Sequence, residues 1–564
     1  MRRIAGHTRG RAPTEQRDGD GLSIAARMRH DMLRSLTGNR FYRHTLVGRV
    51  PPGVEVKIGQ AWPGDPQRGA AIAAGEVELA GKLVRSPSPR WFPPAAGEDW
   101  LACWHGFDWI ADLAAAGAAA REVARELVQS WLADEGIGYR SVAWRSDVLA
   151  TRLFAWISHF DEIAGGDQNP ALRRAILASL AAQNRHLARI AGWELEGAAR
   201  LRALKGLIAG TVALGDSPGR LAKALKWLER EMPAQLFPDG GHRSRSPSAQ
   251  LTVLQDLVDI RNVLRAAKAE APGALEDAIE RAAPVLRLFR HGDRRLALFN
   301  DSLEEDGILL DLVLTRSETK GRALTRAPDT GFERLQADKS LVVVDTGRRP
   351  PPAFDLHAHA GALSFEMSHG RERVIVNCGG YRGPKSGWSR VARASAAHSV
   401  LVVADTNSAE IRDDGVLNRT PTSVSCERAE HDGQQWISAT HDGYRERFGL
   451  IYTRELFLAA DGEDLRGEER LSGRPGAEFA VRFHLHPSVQ ASLADDETAA
   501  LLRLPSGLRW RLRTAGAAIT LGESVYLGSG EARKTQQVVL SGAAAPGGTT
   551  VRWALRRERE TADD

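Results

Sequence analysis

The chain has 564 residues, 43% hydrophobic and 26% charged, which describes a globular protein too long for one core, so two large domains are expected. Its formal charge of +5 is lopsided: residues 1–50 hold eleven arginines and no lysine against four acids, leaving the remainder near −2, so the body is not basic and no nucleic-acid partner is expected. Three scattered cysteines, Cys103, Cys378 and Cys426, exclude a disulfide framework and a Cys-x-x-Cys metal site.

No run reaches the roughly 18 apolar residues of a membrane span, so no transmembrane segment is expected. The start, Met1-Arg-Arg-Ile-Ala-Gly-His-Thr-Arg-Gly10, lacks the apolar stretch of a secretory signal. Cytoplasm is the expected location, with periplasm or cell envelope as the alternative if the start is misassigned. Residues 1–50 form a basic segment whose first 20 residues are polar and expected to lack order. Within it Leu22, Ala25, Met28, Met32 and Leu36 recur at helical spacing. Such a helix docks on its own domain or lies on a membrane surface. Residues 51–97, rich in proline and glycine, read as an irregular lead-in.

From 98 to 305 the apolar period is helical. One stripe is Ala124, Leu127, Val128, Trp131 and Leu132, a second Val148, Leu149, Leu153, Trp156 and Ile157, and a third Leu172, Ile176, Leu177 and Leu180. Others follow at 201–213, 220–231, 249–265 and 274–291, punctuated by Gly165-Gly166, Gly215-Asp-Ser-Pro218 and Pro272-Gly273. Short connections make these helices antiparallel neighbours, in either a bundle or an incomplete α/α toroid. The period then changes to two. Expected strands include 308–314, 340–345, 361–368, 373–377, 399–404, 448–458, 478–486, 508–513, 536–541 and 550–555, which describe an antiparallel β-sandwich over 330–558.

The chemistry-bearing stretch is Asp355-Leu-His-Ala-His-Ala-Gly-Ala-Leu-Ser-Phe-Glu366. On an extended strand His357 and His359 would share a face, able to bind a metal or to divide metal binding and proton transfer between them. Two further stretches follow, Arg373-Val-Ile-Val-Asn-Cys-Gly-Gly-Tyr381 and Arg393-Ala-Ser-Ala-Ala-His-Ser-Val400. Upstream stand Trp100-Leu, His105-Gly-Phe-Asp-Trp109, Asp239-Gly-Gly-His242 and Ser246-Pro247. Together these motifs resemble the heparinase II/III family of polysaccharide lyases.

The resemblance implies an α/α toroid followed by a β-sandwich, and β-elimination on an acidic, uronate-containing polysaccharide. Elimination needs a group to neutralise the carboxylate, a base for the α-proton and an acid for the leaving oxygen. The resemblance makes His357 the base, and His359, Asn377 and His398 the ligands of a divalent metal, zinc preferred. Tyr381 and Arg393 match positions that touch sugar. The pattern has gaps: Asn377 replaces the usual Asp, Gly361 stands where relatives carry Asp, Gly197 begins the helix that opens on Asn-His in the family, and Ala249 takes the tyrosine position. His242, with Arg243 and Arg245 as a carboxylate fork, is the expected replacement. The bland reading is a helix–helix turn with solvent-facing arginines. Trp104, Trp109 and Trp144 suit sugar stacking or a core; His484 and His486 read as structural. The alternative function is a non-catalytic polysaccharide-binding or envelope-glycan assembly protein, and oligomeric state is left open.

Overall fold

The computed structural model describes residues 24–558 apart from 38–39, 60–61, 86–90, 135–136, 139–140, 166–168, 383–386, 414 and 495–497. The lack of order expected of the first 20 residues concerns residues outside the described ones. The basic segment that is described forms the helix Ile24–Thr37, which docks through buried Leu33 and Thr37 and an Arg29–Glu196 ion pair. Met28, Met32 and Leu36 face outward.

The helical half has two layers. Ser146–Ser158, Gly197–Ala213 and Pro247–Ala266 are buried over most of their circumference, whereas Ala118–Ala133, Pro170–Ile190, Pro218–Gln235 and Gly273–Leu288 bury one stripe each. That is the pattern of an α/α toroid, with apolar inner helices inside an amphipathic ring. Proline at the first turn starts the helices at 170, 218 and 247, where its missing N–H costs nothing. Gly206 lets two inner helices touch: a Cβ there would sit 2.5 Å from Ala150.

The last helix, Gly307–Arg316, covers a stretch expected to be a strand. A seven-residue stretch with six apolar residues about Asp311 cannot separate the two by pattern alone. The side chain of Asp306 accepts from the Ile308 N–H, and Leu310, Val313 and Leu314 turn inward at helical spacing. After Arg326 the chain is mainly β, with only single helical turns such as Trp388–Val391 and Arg445–Phe448 among the described residues. Among the described residues, one sheet runs Val424–His431, Gln434–His441, Leu450–Leu458, Asp464–Gly473, Thr549–Arg557, Arg509–Ala515, Ala499–Arg503 and Gln490–Ala494. The facing sheet runs Ala518–Tyr526, Arg533–Ala543, Glu478–Leu485, Glu372–Val376, Phe365–His369, Ser340–Asp345, Phe332–Ala337 and Arg326–Ala327, with Leu401–Val403 also on Glu478–Leu485. Between the sheets Phe365 stacks on Trp553 and Phe483 meets both edge-on.

Buried polar struts bolt the two halves together. His291, just beyond the toroid's helix Gly273–Leu288, meets Ser368 (2.8 Å) and Glu366 (3.1 Å), and Arg373 donates to Asp293 (2.8 Å) and to the Leu296 carbonyl (2.9 Å).

Candidate functional site at the domain junction

The segment 298–306, between the toroid helices Gly273–Leu288 and Gly307–Arg316, builds one wall of the junction. Asn300 and Asp301 are consecutive non-glycine residues in the left-handed region, φ +46° and +62°. Such conformations persist where neighbours hold them. Here the Asn300 amide donates to the Arg245 carbonyl (3.0 Å) and accepts from the His359 N–H (3.1 Å). Arg382 clamps Asp301, one Nη on the carboxylate and the other on the carbonyl, each at 2.7 Å. Gly380 permits the approach, since a Cβ there would lie 2.7 Å from the Asp301 backbone.

His357 stands over this wall with its Nδ1 3.4 Å from the Asp301 carboxylate and a side chain 69% exposed. Crowding by protein atoms lowers its pKa, Asp301 opposes, and Arg382 and Arg393 push it down again. Asp99, in the first turn of the toroid helix Glu98–Gly106, adds a small upward push. Arg393 spends Nε on the Ala358 carbonyl (2.8 Å). Tyr381 is half-buried on the segment leading to Arg382.

His359 goes elsewhere. The expected strand from 361 begins only at Phe365, and the chain turns through 355–364, with Ala358 N–H bonded to the Asp355 carbonyl and Leu363 at φ +64°. The same-face expectation for His357 and His359 therefore fails: the first ring is exposed and the second buried. His359 Nδ1 lies 3.0 Å from His398 Nε2, and His398 Nδ1 lies 2.8 Å from the Ala394 carbonyl. Burial holds His359 well below the ordinary imidazole range and pushes His398 down to about 4. Asn377 does not complete a triad, because its Oδ1 accepts from the Ser399 N–H at 2.9 Å. Its Nδ2 is buried without a protein partner, and an amide N–H repels a cation. Asp at Gly361 has no room: a Cβ would sit 2.6 Å from the His398 ring. Two imidazoles and an engaged amide fit a divalent ion poorly, since zinc sites use three or four donors. Among the described residues no group of three His, Cys, Asp or Glu is placed to hold an ion.

The toroid side departs further from expectation. His242 is buried, with Nδ1 on Ser244 Oγ (2.7 Å) and Nε2 on Gln235 Oε1 (3.2 Å), and burial pushes it down to about 3. It has no free nitrogen with which to exchange protons. Arg245 is an internal strut: it pairs with Asp345 and donates to the carbonyls of Thr330, Arg348 and Gly331. Arg243 donates to the Pro233 carbonyl (3.1 Å) and lies on the Phe237 ring. The expected catalytic His242 and the Arg243–Arg245 fork are corrected accordingly: these side chains hold the turn and the domain contact. Trp104, Trp109 and Trp144 are core residues. Asn300, Asp301, Arg382 and Phe354 were missed. The only cue for the first two was a run of turn-forming polar residues, Asn300-Asp-Ser302, after an apolar strip.

Comparison with known proteins agrees with this architecture. Residues 319–554 match the family model described as heparinase II/III-like, C-terminal. FtsZ-localized protein C of Caulobacter vibrioides is 29% identical over 582 residues, covering 95% of this chain and 98% of that protein. A crystal structure of heparinase III superposes with TM-score 0.71 at 12% identity, covering 95% of this chain and 92% of that one. The heparan sulfate lyase HepC of Pedobacter heparinus gives 0.60 at 15%, covering 95% and 89%. Likeness at such identities shows the fold. The C-terminal sandwich is thus a heparinase II/III-like domain, and the chain as a whole has the toroid-plus-sandwich fold of heparinase III.

Proposed function

We propose that this protein binds an acidic, uronate-containing glycan along the rim formed by His357, Arg382 and Arg393, and does not carry out elimination. The observation that carries this reading is the one-sidedness of the junction. The sandwich supplies an exposed imidazole flanked by two guanidinium groups, which suits a carboxylate. The toroid supplies no matching acid: His242 is buried with both nitrogens engaged, and Ala249 stands in the tyrosine position. The relative named for localisation with FtsZ carries no degradative activity in its name, and the reading extends to a role in envelope-glycan assembly. Titrating heparan sulfate, chondroitin sulfate and alginate into the protein, while following the ultraviolet absorbance of an unsaturated uronate, tests this. Saturable binding without product is expected, weakened at least tenfold by Arg393→Ala. Product formation on any polymer would overturn it.

The His357–Asp301 contact favours a second reading, elimination with His357 as base and Asp301 orienting Nδ1. In that case His357→Ala abolishes product while binding persists.

A further inference from the structure

Phe354 reaches from the sandwich into the toroid. The segment 348–355 crosses the junction, held by Arg245 on the Arg348 carbonyl (2.7 Å) and by the Arg349–Asp355 ion pair. Three consecutive prolines, Pro350-Pro-Pro352, restrict it before it docks, which lowers the entropy lost on seating it. A turn closed by Phe354 N–H on the Pro351 carbonyl (3.0 Å), with Ala353 at φ +75°, aims the ring. The ring meets His242 edge-on, centroids 5.4 Å apart, and rests on Gly197, the first residue of an inner helix. A Cβ at Gly197 would lie 3.4 Å from the Ala353 carbonyl and 3.6 Å from Phe354 Cε1.

The seat around this ring is polar. Gln235 Nε2 donates to the Gly197 carbonyl and to Glu231, each at 2.7 Å, and its Oε1 accepts from His242 Nε2 (3.2 Å). Beneath the ring His242 and Gln235 are already bonded to their neighbours, so with Phe354 seated this part of the toroid wall is covered and offers a glycan no open contact.

We propose that Phe354 is a specificity-determining residue that occupies this toroid wall, so that a glycan is read from the sandwich rim alone and only over a short acidic unit. The proposal rests on the uronate-binding reading above, but its first test needs no glycan. Full-length protein is exposed to hydroxyl radicals, which oxidise an imidazole at its ring carbons and so report solvent access whatever its nitrogens bond, and modification of His242 is mapped by mass spectrometry. His242 is expected to be protected in the wild type and in Phe354→Leu, which keeps the apolar fill, and modified in Phe354→Ala. Protection in Phe354→Ala would overturn the occlusion, and modification in Phe354→Leu would show loss of fold as its cause. The second test compares a heparan-type disaccharide with a hexasaccharide by calorimetry. The wild type is expected to bind both alike, and Phe354→Ala to bind the hexasaccharide at least fivefold tighter with the disaccharide unchanged. No gain for the hexasaccharide would overturn the specificity role. If neither sugar binds either protein, the uronate reading and the specificity role built on it both fall, while His242 labelling still decides occlusion.

Discussion

At the scale of single residues, Arg454 and Glu469 show how the buried side of the junction is held. Both side chains are fully buried and bonded at 2.9–3.0 Å, and Glu469 also accepts from Trp553 Nε1 (2.9 Å) and Tyr452. The remaining Arg454 Nη1 donates to the carbonyls of Leu363 and Ser399, each at 2.8 Å, one on the segment after His359 and the other beside His398. Glu469→Ala strands a buried guanidinium, which costs about 3–5 kcal/mol, a drop to be read from the urea midpoint. The His359–His398 pair yields a second expectation. With Asn377 committed to Ser399, purified protein should carry well under one zinc per chain by plasma mass spectrometry, and His398→Ala should leave that content unchanged. Stoichiometric zinc lost in the variant would overturn it.

At the scale of elements, close packing of inner helices sets the shape of the toroid. Gly206 lies mid-helix, where glycine is otherwise a weak choice, and its missing Cβ is what lets Gly197–Ala213 approach Ser146–Ser158. Gly206→Ala gains helix propensity of about 1 kcal/mol and overpacks by about 1–3 kcal/mol. The contacts are backbone and Cβ atoms of Ala150, 2.5–2.8 Å away, so they have no flexible end to yield and overpacking wins. A lowered melting temperature with unchanged helical circular dichroism is expected; a raised one would show that the helices move apart freely.

At the scale of the whole molecule, buried imidazoles tie stability to pH. Burial pushes His105 and His242 down to about 3, and His186 and His441 to about 4, against about 6.5 in the unfolded chain. Above the unfolded value both states are neutral and this stability is fully present. As pH falls below it the unfolded chain takes up protons first, and stability drains away until the folded values are reached. Each such imidazole contributes about 1.4 kcal/mol per pH unit within that window. The raised carboxyls of Asp259 and Asp345 work in the opposite sense, nearer the carboxylate range. The urea midpoint should therefore decline from pH 6.5 downward, and His105→Gln together with His441→Gln should flatten the slope. An unchanged slope would remove these rings as its cause.

Period and punctuation in the sequence determined the two-part architecture. The stripes at 124–132, 148–157 and 172–180 lie on helices, and Ser340–Asp345 is a strand with the expected bounds, because burial of one face imposes a spacing that local geometry makes legible. The family motifs determined which segment holds the junction. Where periodicity is silent, only tertiary structure decided. The run 308–314 became a helix through its Asp306 cap, and His357 and His359 parted because the chain between them turns. Asp301 joined His357 across 56 positions of sequence through a left-handed backbone that no pattern announces. His242, legible as a candidate, was withdrawn from chemistry by Gln235, Ser244 and Phe354. The physical reason is common to these cases. Repeating burial is written locally, one residue after another, whereas the availability of a nitrogen or a carboxylate depends on which distant groups the finished fold has already bonded to it.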